Sequence, residues 1–376
     1  MFMDREIHAS LRQRLEEGGK VLLVFGARRV GKTTLARRLI EELPLKTLEL
    51  TGDDAIVSGL LASRDAMRMD ELVSGYELLF LDEAQRIPDV GLALKLLHDR
   101  HPELRLLVTG SSALDLASRT REALTGRTWS FHLHAFSYRE CLAVRNAFEQ
   151  NRRLERDLIY GMYPEVQAYE SDADRGAYLR ELHTAYLFKD LLEMGGLRYP
   201  RKLVDLVRML AYQVGSEVSY TELGTALGLS KDTVASYVDL LEKAFIVFRL
   251  EGFSRNLRNE VTRNGKVYFH DLGVRNVAIG DFRSFVARQD QGALWENFLI
   301  AERRKRQLPG VENRFWRLSS GAEVDYVEIE GEKLRAFEFK VSAKARAKAP
   351  ASWVEAYPGA DWQKIDRENY MPFITG

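Results

Sequence analysis

The chain of 376 residues contains a single cysteine, Cys141. That excludes an intramolecular disulfide and any metal cage built from thiolates, and a reducing, cytoplasmic setting fits it best. Neither charge sign is in excess: 55 Lys and Arg stand against 55 Asp and Glu, for a formal net charge of +0. A non-specific polyanion binder carries a clear basic surplus, so nucleic-acid binding has to rest on local patches. No apolar run approaches the length of a membrane span, and the opening Met1-Phe-Met-Asp-Arg-Glu6 lacks the pattern of a secretory leader, so no membrane partner is expected. Internal repeats and low-complexity tracts are absent as well. What remains is an ordinary globular mix, 45% hydrophobic and 29% charged, of a length that suggests two or three domains.

Against this even background one stretch stands out. The apolar run Val21-Leu-Leu-Val-Phe25 is followed by Gly26-Ala27-Arg28-Arg29-Val30-Gly31-Lys32-Thr33-Thr34 and then by a helix-forming segment. Strand, G-x-x-x-x-G-K-T loop and helix make a P-loop, whose backbone N–H groups cradle phosphate oxygens. Gly26 and Gly31 permit the backbone angles of the cradle. Lys32 is expected to reach the β- and γ-phosphates of ATP, and the Thr33 hydroxyl to bind Mg²⁺. The competing reading is a chance turn before a helix; the order of the three parts weighs against it.

The run Glu77-Leu-Leu-Phe-Leu-Asp-Glu83 reads as a buried parallel strand that ends in two acids at the ligand edge. Asp82 is expected to hold Mg²⁺ through water, and Glu83 to act as the general base on the attacking water. The alternative is a pair of surface acids capping the next helix. A third strand, Leu104-Arg-Leu-Leu-Val-Thr-Gly110, ends in Ser111-Ser112. Thr109, Ser111 or Ser112 is a candidate for orienting the water, while Ser112 also suits a helix N-cap. Charge that builds on the phosphoryl oxygens calls for an arginine. Of Arg119, Arg121 and Arg127, the last is the best candidate, since Gly126 precedes it and a β-prone run follows; a solvated surface arginine is the competing reading.

Taken in order, Gly26 to Leu35, Leu81-Asp-Glu-Ala-Gln85, Thr109-Gly-Ser-Ser-Ala-Leu114, Gly126-Arg127 and Phe136-Ser-Tyr-Arg-Glu140 resemble the AAA-type ATPases of prokaryotes that carry a C-terminal domain of long-unknown function. The resemblance continues through Gly161-Met-Tyr-Pro-Glu165 and covers nearly the whole chain. Met162 stands where that family has a second glycine, and Ala135 where a proline is common; neither departure touches a catalytic position.

Residues 141–200 read as helical and charged, including a packing helix over Tyr178 to Asp190; their Arg152 and Arg153 suit a solvated face before a phosphate-binding one. From Leu203 to Phe269 the pattern changes to helix, a short helix stopped at Gly228, a helix capped by Ser230, and two β-prone runs. That is the winged-helix pattern. The face with Lys231, Asp232, Thr233, Ser236 and Asp239 holds two acids and no arginine, which is poor for reading DNA. The wing holds Arg249, Arg255, Arg258, Arg263 and Lys266 against Glu251 and Glu260, a local basic excess suited to tracking a backbone. Internal packing or protein contact is the other use of such a module.

Near the C-terminus, Glu296 falls in an apolar-periodic helix, and Glu323 to Ile329 and Leu334 to Lys340 read as a hairpin turning at Gly331. Alternation lets Asp325, Glu338 and Lys340 meet. Two carboxylates and a lysine suit metal-assisted phosphodiester hydrolysis. The set resembles the PD-(D/E)xK nucleases, which implies Asp325, Glu338 and the helix residue Glu296 as metal ligands, and Lys340 beside the water. The resemblance also covers domains of this fold that serve as binding scaffolds.

The expected fold is therefore α/β: an AAA-like P-loop parallel-sheet ATPase domain over residues 1–140, a helical connector or lid over 141–200, a winged helix over 201–270 and a restriction-endonuclease-like α/β domain over 271–376. The expected cofactors are ATP and Mg²⁺. The expected function is a Mg²⁺-dependent ATPase whose cycle is coupled to DNA binding or processing. The alternative is a nucleotide switch that recruits a protein partner and carries an inactive nuclease-like scaffold; a homo-oligomer is compatible with both.

Overall fold

The structure, a computed structural model of the chain, describes residues 3–111, 124–184, 191, 199–253, 265–306 and 308–376. They fall into two units, Met1–Phe136 with Lys243–Phe245 and Ser137–Glu242 with Ile246–Gly376. Ser112, Arg119, Arg121, the wing residues Arg255, Arg258 and Arg263, and residues 185–190 of the expected packing helix lie outside the described residues.

In the first unit, strands β1 (Val21–Phe25), β2 (Thr47–Thr51), β3 (Leu78–Asp82), β4 (Arg105–Gly110) and β5 (Thr128–His132) form one sheet in the order β2-β3-β4-β1-β5. Every neighbouring pair is parallel. The three central strands are continuous apolar runs because helices cover both faces, whereas the edge strands β2 and β5 carry polar residues. Leu23, Phe25, Leu79, Leu81, Leu106 and Val108 pack with Leu94 and Leu97 of the helix Val90–Arg100. Each such fully buried side chain contributes roughly 1.5–3 kcal/mol. Helix α1 (His8–Glu17) precedes β1, and helix α2 (Lys32–Glu42) follows the P-loop. Helix α2 ends at Leu43, whose backbone is extended because the next residue is Pro44. Parallel pairing brings the C-terminal ends of β1, β3 and β4 to one edge, where Gly26, Glu83 and Ser111 come next in the chain.

In the second unit, the helices Pro200–Tyr212, Tyr220–Leu227 and Lys231–Lys243 are followed by strands β6 (Val247–Gly252) and β7 (Lys266–Phe269), which pair antiparallel. Gly228 closes the second helix at φ 64°, and the Ser230 hydroxyl accepts the Thr233 N–H at 3.1 Å, as the sequence pattern implies. Four more strands follow: β8 (Val311–Arg317), β9 (Glu323–Glu330), β10 (Lys333–Phe339) and β11 (Asp361–Ile365). The expected hairpin is β9 and β10. The six strands form one sheet in the order β11-β10-β9-β8-β6-β7, with β6 parallel to β8 at Glu251–Arg314 and Gly252–Phe315. Strands from either side of residue 270 thus share a sheet, and the ribbon read as a wing is joined to the C-terminal strands. Phe253, Trp316, Trp353 and Tyr357 pack over this sheet.

Gly26 shows how tightly the P-loop is held. A Cβ there would lie 2.1 Å from the Leu133 carbonyl oxygen. Gly26→Ala should lower the stability of the first unit by about 1–3 kcal/mol, measured by thermal or urea unfolding. Gly59→Ala, where a Cβ on the helix Ala55–Ser63 meets open space, should not.

Candidate functional site

The P-loop takes its shape from two left-handed residues, Arg29 at φ 59° and Gly31 at φ 96°, directly before α2. Lys32 is buried, and its Nζ donates to the carbonyls of Gly26 at 3.0 Å and Ala27 at 2.9 Å. Arg5 supports the loop from outside: its guanidinium donates to the Val30 carbonyl at 2.7 Å and the His134 carbonyl at 2.5 Å. Thr33 Oγ1 donates to Asp82 Oδ2 at 2.7 Å. The other oxygen, Asp82 Oδ1, accepts from Thr109 Oγ1 and, at 3.1 Å, from the Glu83 N–H. The sequence-expected Thr33, Asp82 and Thr109 are thus one hydrogen-bonded group. A threonine hydroxyl and a carboxylate side by side next to a phosphate cradle fit a hard divalent cation such as Mg²⁺.

Glu83 lies in the left-handed region at φ 49° and ψ 41°, a conformation that costs a non-glycine residue on the order of 1–2 kcal/mol. The chain passes close by: a Cβ on Gly52 would come within 2.4 Å of the Glu83 carbonyl oxygen, so only glycine fits there. The Glu83 carboxylate accepts from Gln85 Nε2. The same amide donates to Ser111 Oγ at 2.8 Å and accepts the Ser111 N–H at 3.2 Å. Gln85 therefore ties the candidate base to the end of β4. Gln85 closes the Leu81-Asp-Glu-Ala-Gln85 motif, but its residue type gives it no role until its partners are placed.

Arg127 does not join this group. Its carbonyl accepts the Val21 N–H at 2.9 Å, and its Nε donates to Asp99 at 3.0 Å. It therefore precedes β5 at the end of the sheet where β1 begins. Five residues of strand, roughly 15 Å, separate it from the loop. The strand entrance was foreseen, but in a parallel sheet every entrance lies opposite the ligand edge.

In the second unit, Asp325 stands one step beyond the last β9–β10 pair, Tyr326–Phe337, and so faces Glu338 across the hairpin. Asp325 Oδ2 accepts the Phe339 N–H at 2.8 Å, and Lys340 Nζ donates to Glu338 at 2.6 Å. The expected residues do share a neighbourhood, but the expected metal set of Asp325, Glu338 and Glu296 is not assembled. Glu296 Oε1 accepts from Tyr268 at 2.5 Å and from Lys266 at 3.3 Å, and Lys266 also meets Glu323 at 2.5 Å. Lys266 is 2% exposed, so it is not the solvent-facing wing cation that its sequence context implied. Among the described residues, no group of three or more His, Cys, Asp and Glu side chains is arranged to hold a metal ion. This donor set does not fit a divalent ion as it stands.

Burial pushes the Asp325 carboxyl up to about 8; Glu296 and Glu338 add to the rise, while Lys266 and the Phe339 N–H oppose it. The ordinary value is 3.8, so between the two the folded chain keeps a proton that the unfolded chain has released. The stability this contributes is complete below pH 3.8 and is lost as pH rises towards about 8. Buried Asp157, Asp271 and Glu302 are raised as well and act in the same direction. Asp325→Asn should make the fall in Tm across this window shallower than that of the native chain; overlapping Tm–pH curves would contradict the assignment.

Residues 18–142 match the AAA domain family, residues 151–284 a domain of unknown function (DUF8612) and residues 291–368 a second domain of unknown function (DUF4143). The uncharacterized protein Rv2008c of Mycobacterium tuberculosis is 31% identical over 337 residues, which span 88% of this chain and 73% of that one. The uncharacterized protein MJ1544 of Methanocaldococcus jannaschii is 21% identical over 328 residues, 82% of this chain and 72% of that one. Among solved structures, the Walker-type ATPase PABY2304 of Pyrococcus abyssi aligns with a TM-score of 0.48 at 17% identity, over 74% of this chain and 96% of that one. No helix among the described residues is long and apolar enough to cross a membrane. With its P-loop, its Asp82-Glu83 pair and this degree of likeness, the chain belongs to the same family as the mycobacterial protein and carries a P-loop ATPase-like AAA domain.

Proposed function

We propose that the chain is a Mg²⁺-dependent ATPase acting as a nucleotide switch, with the elements after Ser137 as its output. The observation that carries this reading is the Thr33–Asp82 hydrogen bond, which sets both groups expected to hold the metal beside the P-loop. Bound Mg²⁺ would neutralise charge on the phosphates. Lys32 would exchange the carbonyls of Gly26 and Ala27 for phosphate oxygens, a charged and therefore stronger partner. Glu83 would take the proton of the attacking water, and Gln85 would hold its carboxylate at a fixed angle.

For the output, a protein contact is favoured over a nucleic-acid backbone. The helices Pro200–Tyr212 to Lys231–Lys243 with β6 and β7 have winged-helix order, but the described cations of the ribbon are spent internally. Arg249 binds Glu242 at 2.6 Å, and Lys266 is buried among carboxylates. The exposed face of the third helix adds Asp232. A DNA-coupled ATPase remains the second reading; for it, Arg255, Arg258 and Arg263 would have to supply the phosphate contacts.

Lys32→Ala should abolish nucleotide binding measured by titration calorimetry. Glu83→Gln should leave binding within a few-fold and reduce kcat by roughly 100-fold or more. Turnover of the native chain should not respond to single- or double-stranded DNA; a several-fold rise would favour the second reading. If the native chain binds ATP without turning it over, the hydrolase reading fails and the switch alone survives. Gln85→Leu removes one hydrogen bond to a charged group, and should lower kcat by about 10-fold or more with KM little changed. Gln85→Glu, which has no donor for Glu83 and sets a like charge beside it, should lose at least as much; an unchanged kcat in Gln85→Leu would contradict the role.

A further inference from the structure

The acidic cluster of the second unit already contains its cation. Lys266 comes from β7, and its ammonium contacts Glu296 at 3.3 Å and Glu323 at 2.5 Å. Tyr268, two residues along the same strand, donates to the same Glu296 oxygen at 2.5 Å. Glu296 is further hemmed in by Gly215, where a Cβ would lie 3.5 Å from the carboxylate carbon. Lys266 is buried, and its ammonium lies 5.3 Å from the centroid of the Phe315 ring. Glu338 in turn is engaged by Lys340, and Asp325 by a backbone N–H. Each carboxylate that a nuclease-like centre would turn towards a metal ion thus has a protein donor.

We propose that Lys266 is the resident cation of this cluster and stands in for a divalent metal ion, so that the chain binds none at Glu296, Asp325 and Glu338. A buried ammonium is costly unless it is paired, and two carboxylates supply the pairing here. Burial alone would push the Lys266 amine down; Glu296 and Glu323 outweigh it and hold the amine raised, so it stays charged. A metal ion arriving from solution would have to shed water and displace a cation that is tethered to the same sheet and has nowhere else to go. The cluster then works as a latch between β7, the helix Gln291–Lys305 and β9, rather than as a hydrolytic centre. This inference is independent of the ATP site.

Mn²⁺ binding to the full chain, counted by electron paramagnetic resonance without nucleotide, tests it. The native chain and Asp325→Asn should bind the same number of ions, since any Mn²⁺ at the P-loop is common to both. Lys266→Ala should gain one ion, at least 10-fold tighter than any second-unit binding by the native chain, and Lys266→Ala with Asp325→Asn should lose that gain. A native ion that Asp325→Asn or Glu338→Gln removes overturns the proposal, as does a folded Lys266→Ala chain that gains none. If Lys266→Ala does not fold by circular dichroism, the native and Asp325→Asn comparison still decides, and Lys266→Met serves as the apolar replacement.

Discussion

One carboxylate organises the ligand edge of the first unit. Asp82 ends β3, receives Thr33 from the start of α2 on one oxygen, and receives Thr109 from β4 and the Glu83 N–H on the other. Because β4 lies between β3 and β1 in the sheet, these bonds span three neighbouring strand ends. The parallel order makes this possible, since it delivers every loop to the same edge. The arrangement is also what gives the P-loop a chemical neighbour. A phosphate cradle alone binds an anion, whereas a cradle with a hydroxyl and a carboxylate beside it suits an anion that carries a metal ion.

The parts that were legible in the sequence are those whose signal is local. Val21 to Thr34 announces strand, loop and helix within a few residues, and Leu78 to Glu83 does the same for β3 and its acids. The hairpin of β9 and β10 follows from alternation around Gly331, and the cap at Ser230 from its residue type. The parts that were not legible depend on partners far along the chain. Arg127 looks like a site residue until β5 is seen to run parallel to β1, which puts the residue before β5 at the edge opposite the P-loop. Gln85 becomes informative only once Ser111, just past the end of another strand, is beside it.

Lys266 is the sharpest case. As a letter in a basic stretch it counts towards attraction for phosphate; as a buried side chain it is consumed by Glu296 and Glu323. Charge counts over a sequence window cannot separate these, because a lysine stem is long enough to end either in water or under a sheet. Arg249 repeats the lesson, since Glu242, from the helix just before its own strand, claims its guanidinium.

The parallel contact of β6 with β8 has a consequence for how such a chain is inherited. Modules that sit on a chain like beads can be exchanged by recombination at the linker between them. Here a crossover at residue 270 would leave β8 with an unpaired flank and β6 and β7 as a lone ribbon, both short of hydrogen bonds. Strands β6 to β11 thus depend on one another for backbone pairing, although separate domain families cover residues 151–284 and 291–368.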